Sequence, residues 1–539
     1  VIQLALGSFG SVTLPDQSVR SLATPSSSEM AHLDAVAIAA GTSGLELMER
    51  AGLLVADEAR KLAKVAVEKT SIVIMCGPGN NGGDGLVVAR ALQTDGYNVT
   101  AVLAHESRYS NECLAQAAHV KGLRMLTSGD RETSPISALP ISEAELSQAL
   151  AQASLVVDAL LGTGQRDAPR GSIASLVRLV AHAKSSNPDL KVLSVDVPTG
   201  ICADTGRVFE PHIVAHLTVS IELLKRGTVQ FPARDACGLM KVVSIGIDAR
   251  SSVRFALALG ENLPAFHPRA LDAHKGSFGK VLVIGGSAAM PGASVLAALG
   301  ALRSGVPLVT RATRAGWLSP EIPPECMHAL IPGEAPYYQE SDLEAVLEHA
   351  SKADVVVLGP GLGRHPETGA FTRQLVRGLV DAEKGVVIDA DALYHCAHEG
   401  VSFHGARIVI TPHPGEAAVL LEQSTAEVQG DRFASVEALQ SRFGGVALLK
   451  GAGTLVYDGK SGYIIPRGTP YLATGGSGDV LSGIIAACLS RGLSMAEATV
   501  AGAYIHAVAG EKASMASGGP IIASDIAWAA ASVFGDLEK

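Results

Sequence analysis

Residues 473–480 read Ala-Thr-Gly-Gly-Ser-Gly-Asp-Val, a glycine run that ends in a carboxylate and passes straight into the apolar stretch 480–488. That pattern predicts an anion cradle on a helix N-terminus. Backbone N–H groups and the helix dipole favour phosphate there, and glycines let the backbone approach closely. Asp479 stands at the lip, where a carboxylate repels the anion it faces. The conflict points to chemistry, with Asp479 deprotonating a hydroxyl or taking part in phosphoryl transfer.

Three turns in the first half of the chain carry oxygen. The segment 77–85, Gly-Pro-Gly-Asn-Asn-Gly-Gly-Asp-Gly, formally satisfies G-x-G-x-x-G, and Glu106 is roughly placed as the acid a dinucleotide fingerprint requires. A pyrophosphate turn has no need of Asn80, Asn81 and Asp84, however. Oxygen-rich turns suit a hard cation instead. Asp158 precedes Gly162-Thr163-Gly164, and Asp196 precedes Pro198-Thr199-Gly200. Asn81, Asp158, Asp196 and Thr199 would converge at the carboxyl ends of parallel strands. Read singly, each is also a plausible helix cap.

The second half repeats the style with other residues: 274–280, Gly285-Gly286-Ser287, 290–293, 359–363, Asp389 to Leu393, Thr411-Pro412-His413-Pro414-Gly415-Glu416, and Lys450-Gly451-Ala452-Gly453-Thr454. No Walker A pattern occurs. Singly, His413 reads as a turn histidine, Lys450 as a solvated strand-end lysine, and Asp389 and Asp391 as helix caps. Their order ahead of the Gly-Gly-Ser-Gly-Asp lip favours a site.

The elements that must position these turns alternate between strand-like and helical runs. In the first half, strands are expected at 71–76, 98–104, 154–158, 191–195, 216–221 and 240–245. Helices are expected at about 44–66, 83–95, 110–122, 142–152 and 172–185. In the second half, strands are expected at 280–284, 306–311, 354–358, 385–389, 406–410, 446–449 and 453–457. Ala-rich helices at about 477–490 and 494–516 close the chain. The reading is an α/β protein of two domains, 25–250 and 267–539, joined by a linker at 251–266. Doubly wound parallel sheets would hold ligands at the carboxyl ends of their strands.

The bulk numbers agree. The 539 residues are 47% hydrophobic and 18% charged, with 58 glycines and a formal net charge of −10. That is globular rather than disordered. No Lys/Arg block exists, so neither nucleic acid nor a polybasic membrane contact is expected. Seven scattered cysteines without C-x-x-C spacing argue against a disulfide framework or a zinc site and fit a reducing cytoplasm. No apolar run reaches membrane-spanning length. Residues 1–10 lack a basic n-region, so no signal peptide is expected, and 1–25 reads as a frayed extension.

Leu47-Met48-Glu49-Arg50-Ala51-Gly52, the blocks 77–85 and 157–164, and Asp196-Val197-Pro198-Thr199-Gly200 together resemble the NAD(P)H-hydrate epimerase domain, which implies a Rossmann-like sheet. By that resemblance Asn81, Asp158 and Thr199 would hold potassium, Thr199 keeping the hydroxyl of an expected serine. Asn80, Asn81, Gly82, Gly83, Asp84, Gly162, Thr163, Gly164 and Asp196 would line the hydrate site. Asp196 would be catalytic, and Lys225 carries no catalytic assignment.

The second half, from about 267 to 535, resembles the ADP/ATP-dependent NAD(P)H-hydrate dehydratase, a ribokinase-like fold. Thr-Pro-His-x-Gly-Glu and Ala-Thr-Gly-Gly-Ser-Gly-Asp-Val-Leu carry that likeness. Lys450, Gly451, Ala452, Gly453, Thr454 and Gly478 would contact the nucleotide. Ala293, Gly361, His413 and Asp479 would face the hydrate. The implied activity is repair of hydrated NADH and NADPH: the first domain epimerises the R and S hydrates. The second phosphorylates the hydroxyl of the S form, with Asp479 as base, and eliminates phosphate. ADP is preferred to ATP because both domains share one chain, with Mg2+ held through Asp389 or Glu416. Partners are then the two hydrates, an adenine nucleotide and further copies of the chain. The competing reading is a vitamin-precursor kinase of the ribokinase type with a non-catalytic N-terminal module.

Overall fold

The run Ser71–Cys76 shows how these sheets form. Ile72, Ile74 and Cys76 pack on one face with the helices Gly44–Ala63 and Asn80–Thr94. Val73 and Met75 pack on the other with Glu143–Gln152 and Gly171–Ser186. A strand apolar on both sides must be covered on both sides, as a parallel sheet between helices is. The computed structural model describes the chain except residues 1, 6–9, 16–21, 64–70, 129–135, 249–252, 319–322, 398–400, 402 and 539. It divides into two units, Val1–Phe255 and Ala256–Lys539.

The first unit's sheet runs Ile2–Ala5, Ser11–Leu14, Leu239–Val243, Leu217–Ile221, Lys191–Val195, Leu155–Ala159, Ser71–Cys76, Asn98–Leu103, Arg124–Thr127, Leu139–Pro140. Among the described residues, only the pair Ile2–Ala5 with Ser11–Leu14 is antiparallel in this sheet. Strand order reverses between Ser71–Cys76 and Leu155–Ala159, which opens a crevice at their carboxyl ends.

The second sheet runs Phe255–Leu257, Gly462–Ile465, Thr454–Tyr457, Val446–Leu449, Ile408–Ile410, Gly385–Ile388, Val355–Leu358, Lys280–Ile284, Leu308–Thr313, Met327–Leu330. Its reversal lies between Lys280–Ile284 and Val355–Leu358. Val281, Val283, Val355 and Val357 join a core with the helices Pro291–Arg303, Ser477–Ser490, Met495–Ser517 and Ala523–Leu537.

The expected strands are present, most of them displaced by a residue or two. Several elements differ from expectation. Residues 1–25 are no frayed extension throughout: Ser11–Leu14 pairs with Leu239–Val243, and Val12 and Leu14 are buried. A helix Ser27–Ala39 follows, fixed at its start by a Ser26/Glu29 capping box. The helix expected at 83–95 begins at Asn80 instead. Asn-Asn-Gly-Gly is a poor helix start by propensity, so packing decides it. Within the expected linker 251–266, Phe255–Leu257 is a strand and Phe266 is buried, while 251–252 lie outside the described residues. Residues 64–66 of the expected helix 44–66 also lie outside them. A third helix, Ala523–Leu537, ends the fold after the two expected there.

Candidate active sites

In the first unit, Gly77 leaves its strand where a β-carbon would lie 1.7 Å from the Leu160 carbonyl oxygen. Only glycine lets the two turns at the strand reversal close on each other. Beneath them Asp158, fully buried, accepts hydrogen bonds from the Thr199 N–H (2.9 Å), the Thr199 hydroxyl (2.6 Å) and the Ser194 hydroxyl (2.9 Å). Burial pushes its carboxyl up, and these hydrogen bonds pull it back. The Leu161 N–H donates to Thr199 Oγ1 at 3.1 Å, and neighbouring Gly162 lies against the Asn81 side chain. Among the described residues, Asn81 Nδ2 is buried without a partner. Asn81, Asp158 and Thr199 are thus linked through one turn, 160–162.

Above this turn opens a cleft of about 530 Å³ lined by Asn80, Asn81, Asp84, Gly162, Thr163, Gly164 and Asp196, joined by Asp34 and Lys225. Gly82 and Gly83 do not line it. They are buried helix positions where a β-carbon would strike the Gly77 carbonyl and Met48 Sδ. Asp196 sits at φ 65°, and its Oδ1 accepts from the Lys225 ammonium and the Ile221 N–H (3.0 Å). Lys225 is 1% exposed and also donates to the Ile221 carbonyl at 2.7 Å. Burial drives the Asp84 carboxyl well above the carboxylate range. Asp196 and Asp34 push the same way, and Lys225 only partly offsets them. Asp34 is raised too, by burial first, with Lys225 opposing and Asp196 and Glu222 adding. Sequence reasoning left Lys225 without a role and missed Asp34. Their only signal was position: a lysine just past a strand end, and an acid on a helix that was not foreseen.

In the second unit the lip opens the helix Ser477–Ser490, with Gly476 as N-cap at φ 88°. A β-carbon there would lie 2.3 Å from Leu296 Cδ1. The Ser477 N–H is engaged by the Thr474 carbonyl (3.3 Å), whereas those of Gly475, Gly476, Gly478 and Asp479 meet no partner among the described residues. His506 Nε2 lies 3.0 Å from the Ser477 carbonyl oxygen, and burial lowers its pKa to about 4, so the ring is neutral and donates there.

Lys450 ties the acidic groups together. Its Nζ lies 2.8 Å from Asp389 Oδ1 and 3.7 Å from Glu416 Oε2. The Ser482 hydroxyl donates to Asp389 Oδ2 at 2.7 Å. A β-carbon on Gly478 would stand 3.2 Å from Lys450 Nζ, so the lysine lies across the lip. Burial works against the lysine's charge, but Asp389, Glu416 and Asp479 outweigh it and leave its pKa above the usual value. Asp479 is pushed up to about 7, by burial first and then Asp389, with Lys450 opposing.

The other expected residues fall into two groups. Gly361 and Ala293 meet: a β-carbon on the former would lie 2.8 Å from Ala293 Cβ. His413 caps the helix Pro414–Leu421, its Nδ1 accepting from the Gly415 and Glu416 N–H groups at 3.0 and 3.3 Å, with the ring itself exposed. Gly451 and Ala452 are exposed on the turn between two strands, Gly453 is buried, and Thr454 opens the next strand. Buried Arg432 backs that turn through the Lys450 carbonyl at 3.3 Å.

Comparison with known proteins follows the same two halves. A family model described as NAD(P)H-hydrate dehydratase matches residues 281–527, and one described as YjeF-related protein N-terminus matches 44–227. A Coxiella burnetii protein named bifunctional NAD(P)H-hydrate repair enzyme Nnr is 36% identical over 502 residues, 91% of this chain and 94% of its own. The Escherichia coli protein of that name is 37% identical over 479 residues, 87% of this chain and 85% of its own. A Bacillus subtilis ADP/ATP-dependent NAD(P)H-hydrate dehydratase, co-crystallised with ATP/Mg2+, is 24% identical. It covers 51% of this chain and 95% of its own, with a TM-score of 0.43. The expected pairing of a Rossmann-like half with a ribokinase-like half stands, and the chain belongs to the family of bifunctional NAD(P)H-hydrate repair enzymes.

Proposed function

We propose that the first unit interconverts the R and S hydrates of NADH and NADPH, and that the second dehydrates the S form with ADP as phosphoryl donor. The observation that carries the second step is the lip: unpartnered N–H groups at Gly475, Gly476 and Gly478 beside a carboxyl whose pKa is about 7. The N–H groups stabilise charge on a transferring phosphoryl group. Asp479, pushed up to about 7, takes the proton of the substrate hydroxyl. Lys450 keeps Asp389 neutralised and pulls Asp479 toward ionisation. Phosphate is a far better leaving group than hydroxide, so its elimination restores the reduced ring.

Two ions belong to this reading. Potassium fits the first unit: Asp158 is a buried carboxylate whose hydrogen-bond donors are all neutral, and Asn81, whose side chain lies against Gly162 of the 160–162 turn, has an amide oxygen that can ligate a hard cation. Held by Asn81, Asp158 and Thr199, the ion would supply the missing positive charge. A direct Mg2+ site on Asp389 does not fit, and Glu416 would have to offer its Oε1. Both oxygens of Asp389 are engaged by Lys450 and Ser482, and Glu416 Oε2 accepts the His413 N–H at 2.8 Å.

The test is incubation with hydrated NADH and either ADP or ATP. Recovery of the reduced-nicotinamide absorbance, with one phosphate released per ring restored, supports the proposal, and a faster rate with ADP supports the choice of donor. A stable phosphorylated alcohol with no absorbance recovered identifies a kinase instead.

A further inference from the structure

Within that reading of the first unit, we infer that Asp84 and Asp196 are the acid–base pair of epimerisation, with Lys225 positioning Asp196.

The two carboxyls share one cleft and are treated in opposite ways. Asp196 is held by a cation and a backbone N–H. Asp84, only 8% exposed, lines the same cleft and accepts a hydrogen bond from nothing among the described residues. A buried carboxylate without donor or cation costs too much to persist, so Asp84 carries a proton. The groups facing it are Asp34 from the helix Ser27–Ala39, Cys113 from the helix Asn111–His119, Asp196 and Lys225. Three of the four are acids, and the single cation is bound to Asp196. A carboxyl held by a cation and an N–H, beside one with no donor at all, suits a base and an acid in turn.

The chemistry needs such a pair. Water adds to the electron-rich double bond of a reduced nicotinamide at the carbon beside the ring nitrogen. The hydroxyl of the hydrate is therefore on a carbon whose neighbouring nitrogen can expel it. Asp84 gives its proton to that oxygen, the C–O bond breaks, and the nitrogen lone pair forms C=N+. Water then adds to the other face of this carbon while Asp196 takes a proton from it. A proton passing from Asp196 back to Asp84 restores the starting state, so nothing is consumed. The cationic intermediate faces a cleft with three carboxyls and one lysine, which suits it.

Asp84→Asn is the decisive variant, because the amide copies the shape and neutrality of the protonated carboxyl but has no proton to give. Epimer equilibration above the uncatalysed rate is followed chromatographically from pH 5 to 9. Wild-type kcat falls at high pH as Asp84 ionises. The expected loss in Asp84→Asn is about 100-fold, with the high-pH fall abolished, and Asp84→Glu recovers part of the rate together with the fall. Lys225→Met is expected to lower kcat with KM little changed, and Lys225→Arg to recover part of the rate, since Asp196 Oδ1 loses the donor that holds it in place. An Asp84→Asn enzyme within threefold of wild type and with the same pH profile overturns the inference alone. A wild-type chain that does not accelerate equilibration overturns the epimerase reading itself.

Discussion

Asp479 shows how one side chain acquires a task from its neighbours. A carboxyl on an exposed loop is ionised throughout the neutral range, whereas burial and Asp389 move this one to about 7. Below that pH it is protonated and cannot accept a proton. Dehydration should therefore climb as pH rises through about 7 and level off above it. Asp479→Asn should lower kcat by about 100-fold or more and flatten that limb, as absorbance recovery across pH will measure. Lys450→Met works in the other direction. It strips the cation from Asp389, whose side chain is 2% exposed, so roughly 3–5 kcal/mol of stability should disappear in denaturant titration. The pH limb should also move upward, because Lys450 is what holds Asp479 down. These roles were only half legible in the chain. The glycine lip announced Asp479, but nothing in Lys450 alone distinguished a solvated lysine from one lying across the lip.

The helices that carry the lip are placed by small residues. A β-carbon on Gly483 would lie 2.0 Å from the Ala297 carbonyl, and one on Gly300 would lie 2.5 Å from the Val480 carbonyl. Pro291–Arg303 and Ser477–Ser490 therefore touch backbone to backbone, one turn below Asp479. Alanine favours a helix over glycine by about 1 kcal/mol. Gly483→Ala should nevertheless destabilise the second unit by about 1–3 kcal/mol through overpacking. Dehydration should fall with it, measured as a lower unfolding midpoint and a lower kcat. This contact was not readable from the sequence, where Gly483 is one small residue in an apolar helix. The first-half helix Asn80–Thr94 makes the same point, since local propensity placed its start three residues late. Gly82 and Gly83, expected to line a site, are needed for the helix to fit.

The whole molecule is two cores, with the first cleft at the reversal point of its sheet and the second site at the ends of the strands Gly385–Ile388, Ile408–Ile410 and Val446–Leu449. Asp158→Ala should remove the buried carboxylate that organises Thr199, Ser194 and the 160–162 turn. Epimerisation should then fall at least tenfold and lose any dependence on potassium. Dehydration of the S hydrate should stay within twofold of wild type, and only one of two calorimetric transitions should move. Loss of both activities together would mean that the units do not act separately. Among the described residues, no helix is long and apolar enough to cross a membrane. By itself, the sequence determined the α/β alternation, the order of glycine turns and the lip with its acid. Those features are local, set by apolar periodicity and by the backbone freedom a tight turn requires. Tertiary structure decided which acids are buried and which are paired, that Lys225 and Asp34 enter the first cleft, and that Lys450 lies across the second. Each depends on burial and on charges brought together from distant parts of the chain, and a one-dimensional pattern carries neither.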